Sequence, residues 1–229
     1  MTFDTELLVT ATTWVIPVLL AITLHEAAHG WVAWRLGDDT AKRMGRVTAN
    51  PLRHIDPMGT VLVPGLLFAT GAPFLFGWAK PVPVNFRRLR NPRRDMVLVA
   101  IAGPGSNLLM ALAAALLIHT EPLIPAVAAE WYGRTLVNMI LLNLVLAAFN
   151  MIPLPPLDGG RVAVGLLPPS LAMPLARLER FGLPILIGVL FLVPYVASQF
   201  GYLFDPFAWV LAPVVKALFQ VIAHLAFLN

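Results

Sequence analysis

Cysteine is absent from all 229 residues, which excludes disulfides, thiol nucleophiles and Cys-ligated zinc. It also leaves the redox compartment unreadable. Charge is scarce: Asp, Glu, Lys and Arg make up 12% of the chain, about half of what a soluble domain carries. With 59% hydrophobic residues and a mean hydropathy of +0.79, the composition is that of an integral membrane protein. No internal repeat and no low-complexity tract is visible. A basic leader is missing as well, since Asp4 and Glu6 precede the first apolar run. That run is expected to be the first membrane helix rather than a cleaved signal peptide. The net charge of +4 implies no nucleic-acid partner, because the basic residues crowd into loops between apolar segments, as membrane topology requires.

What is present is a series of long apolar runs. A hydrocarbon core needs about 20 apolar residues per spanning helix, and five stretches qualify: roughly 7–34, 96–118, 134–152, 182–199 and 206–228. A sixth, Gly59 to Ala79, is long enough but is broken by Pro64, Gly65, Gly71 and Pro73. If it re-enters without crossing, 14 of the 16 Lys and Arg residues fall on one side. A crossing would separate "DDTAKRMGR" from "NFRRLRNPRRD", against the positive-inside rule. The expected fold class is therefore an all-α polytopic membrane protein of five to six transmembrane helices with a re-entrant element. The N-terminus would lie outside and the C-terminus in the cytoplasm. Met44–Pro57 and Gly77–Phe86 carry Val, Thr and Pro without helical periodicity and are expected to hold short β-strand segments near the inner face. The whole chain, 1–229, reads as one membrane domain, with a catalytic core over about 7–165 and C-terminal helices over about 181–228.

Chemistry concentrates in "TLHEAAHG", Thr23 to Gly30, near the end of the first apolar run. His25 and His29 are four apart, so on a helix they share one face and can bind one metal, with Glu26 placed as a base. This is the HExxH arrangement of zinc proteases. Ionisable groups inside a membrane helix cost roughly 3 kcal/mol or more each and are functional by default. Counting back from Arg35 puts His25 about 15 Å along the helix from its charged end, submerged but nearer the inner face. A catalytic zinc needs a third ligand and an open position. Asp158, in "NMIPLPPLDGG", is the candidate, being the only acidic residue between Glu130 and Glu179; an interfacial turn or cap is the plain alternative.

These patterns together resemble the site-2 protease family of intramembrane zinc metalloproteases. HEAAH supplies HExxH, and Asn150 to Gly159 matches NxxPxxxLDG in full. "AGPGSN", Ala102 to Asn107, resembles GPxxN, while "HIDPMGT" and "GWAKPVPVN" resemble segments of the compact bacterial subgroup. The resemblance covers roughly residues 10–165. The chain shows no PDZ-like insertion and no nucleotide-sensing CBS domain, so control through either is not implied.

The resemblance implies one Zn²⁺ per chain held by His25, His29 and Asp158, with Glu26 as general base in peptide hydrolysis. It implies a lipid bilayer and a transmembrane protein or peptide substrate as partners, and a cell-membrane location with the site nearer the cytoplasmic face. Asn107 and Asn150 are candidate oxyanion donors, with interhelical hydrogen bonding the alternative for both. His54 reads as an accessory ligand, a transition-state donor or a structural hydrogen bond. "KPVPVN", Lys80 to Asn85, is either a clamp for unwound substrate, with Asn85 pinning its backbone, or a rigid Pro-rich connector. His119 and the aromatics Trp131, Tyr132 and Tyr202 read as interfacial. Lys216, Gln220 and His224 form one polar stripe on the last helix. A transporter or metal-handling protein with a His/Asp ion site is the rival class, although repeat symmetry is lacking. A catalytically silent scaffold would have lost Glu26 or a ligand, and all are present.

Overall fold

The structure, a computed structural model, describes residues 5–63, 65–66 and 77–228. Its helices are α1 (Thr5–Arg35), α2 (Thr40–Arg43), α3 (Pro92–Leu117), α4 (Ala126–Asn150), α5 (Asp158–Leu166), α6 (Pro169–Arg177), α7 (Glu179–Ile187), α8 (Val193–Gln199) and α9 (Pro206–Leu225). Proline stands in the first turn of α3, α6, α8 and α9, where its missing N–H is not needed. Asp205 caps α9 by accepting the Ala208 N–H at 2.9 Å.

Among the described residues, five helical stretches are long and apolar enough to cross a membrane: Val9–Arg35, Pro92–Leu123, Ala126–Asn150, Glu179–Gln199 and Ala208–Leu225. They match the five expected spans within a few residues, except that the third starts about one membrane-interface layer earlier. There the Glu130–Arg134 ion pair at 2.6 Å and the Tyr132 hydroxyl, 2.7 Å from that of Thr120, hold polar residues in helical form. The fourth span joins α7 and α8 through one wide helical turn, Gly188–Leu192.

The core is formed where α1, α3 and α4 pack on one another, with α5 lying against α3 and α9 against α3 and α4. Ala111, Ala114 and Ala115 of α3 meet Leu136, Met139, Ile140 and Leu144 of α4 and Ile222 of α9. The small alanines let the backbones approach, which is how membrane helices gain contact without a hydrophobic driving force between them. Lys216, Gln220 and His224 are exposed and face away from this bundle.

The expected strand segments are not strands. Met44–Pro57 forms turns and a short 3₁₀ turn, Pro51–Arg53, capped by Asn50. Residues 77–85 run without regular structure, because their backbone groups pair elsewhere. Lys80 donates its N–H to the His54 carbonyl at 2.9 Å and accepts from Arg46 Nη2 at 2.6 Å. The Val82 N–H goes to Glu26 Oε2 at 2.7 Å and the Asn85 N–H to Asp38 Oδ2 at 2.6 Å. Pro81 and Pro83 have no N–H, so no continuous ladder is available. Side chains hold this segment where a neighbouring strand was expected.

The re-entrant element falls on residues 64 and 67–76, which lie outside the described residues. Its flanks are described. Pro57–Leu62 is a wide helical turn capped by Asp56, which accepts the Met58 and Gly59 N–H groups. Trp78 donates its N–H to the Gly59 carbonyl at 3.0 Å and accepts from Thr60 Oγ1 at 2.9 Å. Residues 59–60 and 78 therefore meet at one place.

Candidate metal centre

His25 and His29 lie one turn apart on the buried face of α1, 8% and 7% exposed. Each ring is fixed at its far nitrogen by α3. His25 Nδ1 lies 2.6 Å from Asn107 Oδ1, and His29 Nδ1 lies 2.7 Å from the Val99 carbonyl. Both partners are acceptors, so each Nδ1 carries the proton and each Nε2 presents a lone pair. The two Nε2 atoms are 3.0 Å apart. Asp158 Oδ2 lies 3.2 Å from one and 3.3 Å from the other.

Asp158 arrives as the first residue of α5. The helix N-terminus favours a carboxylate there. Gly159 and Gly160 permit the approach, because the preceding loop folds back over that turn. A Cβ on Gly159 would lie 2.2 Å from the Met151 carbonyl oxygen, and one on Gly160 2.2 Å from the Pro155 nitrogen. Gly103 of α3 forms the wall behind the histidines: a Cβ there would lie 2.4 Å from His29 Nε2 and 2.6 Å from His25 Nε2.

A cation fits this trio, and its absence would leave a conflict. Two imidazole lone pairs and a buried carboxylate oxygen converge, and Asp158 Oδ2 has no hydrogen-bond partner among the described residues. Among the described residues, His25, His29 and Asp158 form a group that could hold a metal ion. Zinc–nitrogen bonds of about 2.0–2.1 Å imply tetrahedral edges of about 3.3 Å, close to the separations seen here.

Glu26 stands outside that trio, partly buried, with Oε2 on the Val82 N–H. Asn107 is fully buried, and its Nδ2 donates to Asn143 Oδ1 at 2.8 Å and to the Ala21 carbonyl at 3.3 Å. Asn143 Nδ2 in turn donates to the Met139 carbonyl at 2.8 Å. The chain His25–Asn107–Asn143 thus links α1, α3 and α4. Asn150 Nδ2 is bound to the Leu146 carbonyl of its own helix at 3.0 Å. Asn85 Oδ1 accepts the Arg87 N–H at 3.2 Å, capping a short turn. His54 is buried, with Nε2 3.1 Å from the Thr48 carbonyl and Nδ1 without a partner among the described residues. Burial holds its pKa below the ordinary histidine value, aided by the Arg46 charge and opposed by the Thr48 contact. His119 donates from Nε2 to the Ala226 carbonyl at 2.7 Å, tying the second span to the last.

Sequence reasoning missed Asn143 and Gly103. Asn143 had a signal, a lone amide inside "LLNLVL", of the kind that bridges membrane helices. Gly103 lay within the quoted AGPGSN, but only the fold reveals that it faces the histidines. The structural roles of Asp38 and Arg46, fully buried and 5% exposed, had no sequence signal beyond their charge.

Comparison with known proteins places the chain among metalloproteases. The model of peptidase family M50 matches residues 118–195, a stretch that holds Asp158 but not His25 or His29. The Bacillus subtilis protein named "Putative zinc metalloprotease YwhC" is 42% identical over 196 residues, 84% of each chain. "Putative zinc metalloprotease Rip2" of Mycobacterium tuberculosis is 36% identical over 183 residues, covering 80% of this chain and 67% of that protein. The Mycolicibacterium smegmatis protein of the same name is 31% identical over 204 residues, covering 87% and 75%. No solved structure matches the chain.

Proposed function

The chain belongs to peptidase family M50, the zinc-dependent metalloproteases of the site-2 protease type, and on that footing we propose that it is an intramembrane endopeptidase. It would hydrolyse peptide bonds in or near transmembrane segments of other membrane proteins. One observation carries the reading: the lone pairs of two histidines on a helix long enough to span a bilayer converge within 3.0–3.3 Å with a buried carboxylate oxygen of Asp158, with Glu26 beside them.

In this reading His25, His29 and Asp158 hold one Zn²⁺ per chain. When bound, the metal acidifies a water and polarises the scissile carbonyl. Glu26 accepts the proton of the attacking water and delivers it to the leaving amine. Asn107 holds the His25 ring and its tautomer, since both its oxygen and its amide are engaged. That leaves it no free donor for an oxyanion. Asn150 Nδ2 spends one of its two N–H groups on the Leu146 carbonyl, and the other would serve as such a donor. His54, donating through Nε2, offers a lone pair at Nδ1 and so suits an N–H of substrate better than an oxyanion. Asn85 and the Lys80–Asn85 segment would lie alongside the unwound substrate.

The membrane orientation is part of the proposal: N-terminus outside, C-terminus cytoplasmic, the site submerged nearer the cytoplasmic face. The meeting of residues 59–60 with 78 supports the parity on which it rests. The rival transporter reading is set aside by the family.

Glu26→Gln tests the reading. The purified variant should keep about one zinc per chain while cleavage of a co-expressed single-span substrate falls to background. Surviving cleavage would remove Glu26 as the base. Unchanged zinc content in His25→Ala would remove the metal assignment.

A further inference from the structure

Glu26 must point its carboxylate at the reacting atoms although no ligand bond fixes it, unlike its two histidine neighbours. The group that fixes it comes from elsewhere in the chain. We propose that the main-chain amide of Val82 is the positioning group for Glu26, so that the Pro81-Val82-Pro83 tripeptide is part of the proteolytic machinery. This rests on Glu26 being the base, as argued above.

Four observations carry it. The Val82 N–H donates to Glu26 Oε2 at 2.7 Å, a charge-assisted hydrogen bond of ordinary strong length. Oε1 takes no hydrogen bond among the described residues, so one oxygen is anchored and the other is available for a proton. The donor is preorganised: Pro81 and Pro83 restrict the backbone to extended conformations, and Val82 carries the tripeptide's single N–H. Finally, the segment is seated on the same helix face that carries Glu26. Val82 is 9% exposed, and a Cβ on Gly30, one turn after Glu26, would lie 3.0 Å from Val82 Cγ1. Arg46 Nη2 on the Lys80 carbonyl at 2.6 Å and the His54 carbonyl on the Lys80 N–H at 2.9 Å hold the segment two residues upstream.

This arrangement explains why an unpaired stretch of chain is pinned so heavily. Arg46 has no carboxylate within ion-pair distance among the described residues and yet is 5% exposed. Its charge is directed at the carbonyl that fixes where Val82 sits. A merely structural connector would call for neither the buried guanidinium nor the amide on Glu26.

Val82→Pro deletes the donor while three consecutive prolines keep the extended backbone. The full chain would be reconstituted in phosphatidylethanolamine–phosphatidylglycerol vesicles with a labelled single-span peptide carrying a helix-breaking Asn-Pro. Val82→Pro should lower kcat about tenfold to a hundredfold, the range for a lost hydrogen bond to a charged group. KM should change less than threefold, and zinc should stay near one per chain. Val82→Ala keeps the N–H and should lose at most threefold in kcat. Incorporating the α-hydroxy acid analogue of valine at position 82 replaces only the N–H by oxygen. It should reproduce the loss in kcat, and it serves if the proline variant fails to fold. Equal losses in Val82→Ala and Val82→Pro, a loss confined to KM, or full kcat in the ester variant would overturn the inference. A Glu26→Gln variant that still cleaves would instead overturn the assignment of the base, so the two failures are told apart.

Discussion

The first span and the fourth are both apolar helices, and the fourth is the more apolar, with a window hydropathy of 2.1 against 1.4. Yet 33% of the first is buried within the protein and only 6% of the fourth. Hydrophobicity therefore does not decide which helices form the core. In a bilayer, lipid tails solvate leucine as well as another helix does, so packing depends on small residues and on polar groups that need partners. The first three spans carry the buried Thr13, Thr23, His25, His29, Asn107, Thr135 and Asn143, while residues 179–199 bury only Gly182 and Leu186. The difference separates the two regions: α1, α3 and α4 pack together around the candidate metal centre, and the fourth span stays largely outside that packing.

The sharpest way to break that contrast is at Gly103, where α3 touches the histidines. Gly103→Ala places a methyl within 2.6 Å of both Nε2 atoms. One of the rings or α3 must move, and we expect zinc content to fall below a tenth per chain, with cleavage reduced at least about a thousandfold, the scale of losing a principal catalytic group. Metal analysis of the purified variant reads it. Retained stoichiometric zinc would mean that the wall behind the ligands is softer than its geometry implies.

Asn107→Leu is the intermediate case. It removes the acceptor that holds His25 Nδ1 and cuts the link to Asn143, while keeping a side chain of the same branching, though a larger one. Partners in this outer layer of metal sites are worth about 10–100-fold in affinity or activity. Competition with a zinc chelator should show a weaker site by that factor, in a protein that still folds. An unaltered chelator titration would leave the His25–Asn107 contact without functional weight.

The same contrast accounts for what the sequence disclosed. Span number was legible because hydropathy needs no tertiary context, and His25, Glu26, His29 and Asp158 stood out because ionisable groups in apolar runs are rare. The Met44–Pro57 and Gly77–Phe86 segments misled because β-branched residues and prolines describe any extended chain. Whether such a chain has a strand partner depends on distant groups, here Arg46, Glu26 and Asp38. The role of Gly103 was invisible for the same reason, since it acts through a helix other than its own, whereas Asn143 offered the signal of a lone amide in an apolar run.

The smallest effect is expected on the fourth span, and it sharpens the comparison as much as the largest. Leu192 is 60% exposed within the wide turn that joins α7 to α8. Leu192→Ala removes methyl groups that meet lipid, so no cavity forms between helices and no polar group loses a partner. Cavity cost arises only where surrounding protein cannot close around the lost atoms, and lipid tails are fluid. The expected change in unfolding free energy is within about 0.5 kcal/mol, the range for substitutions away from any such feature, with zinc content and cleavage rate unchanged. A drop of several-fold in cleavage would show that residues 179–199 contribute to the site. The region would then belong with α1, α3 and α4 despite burying so little.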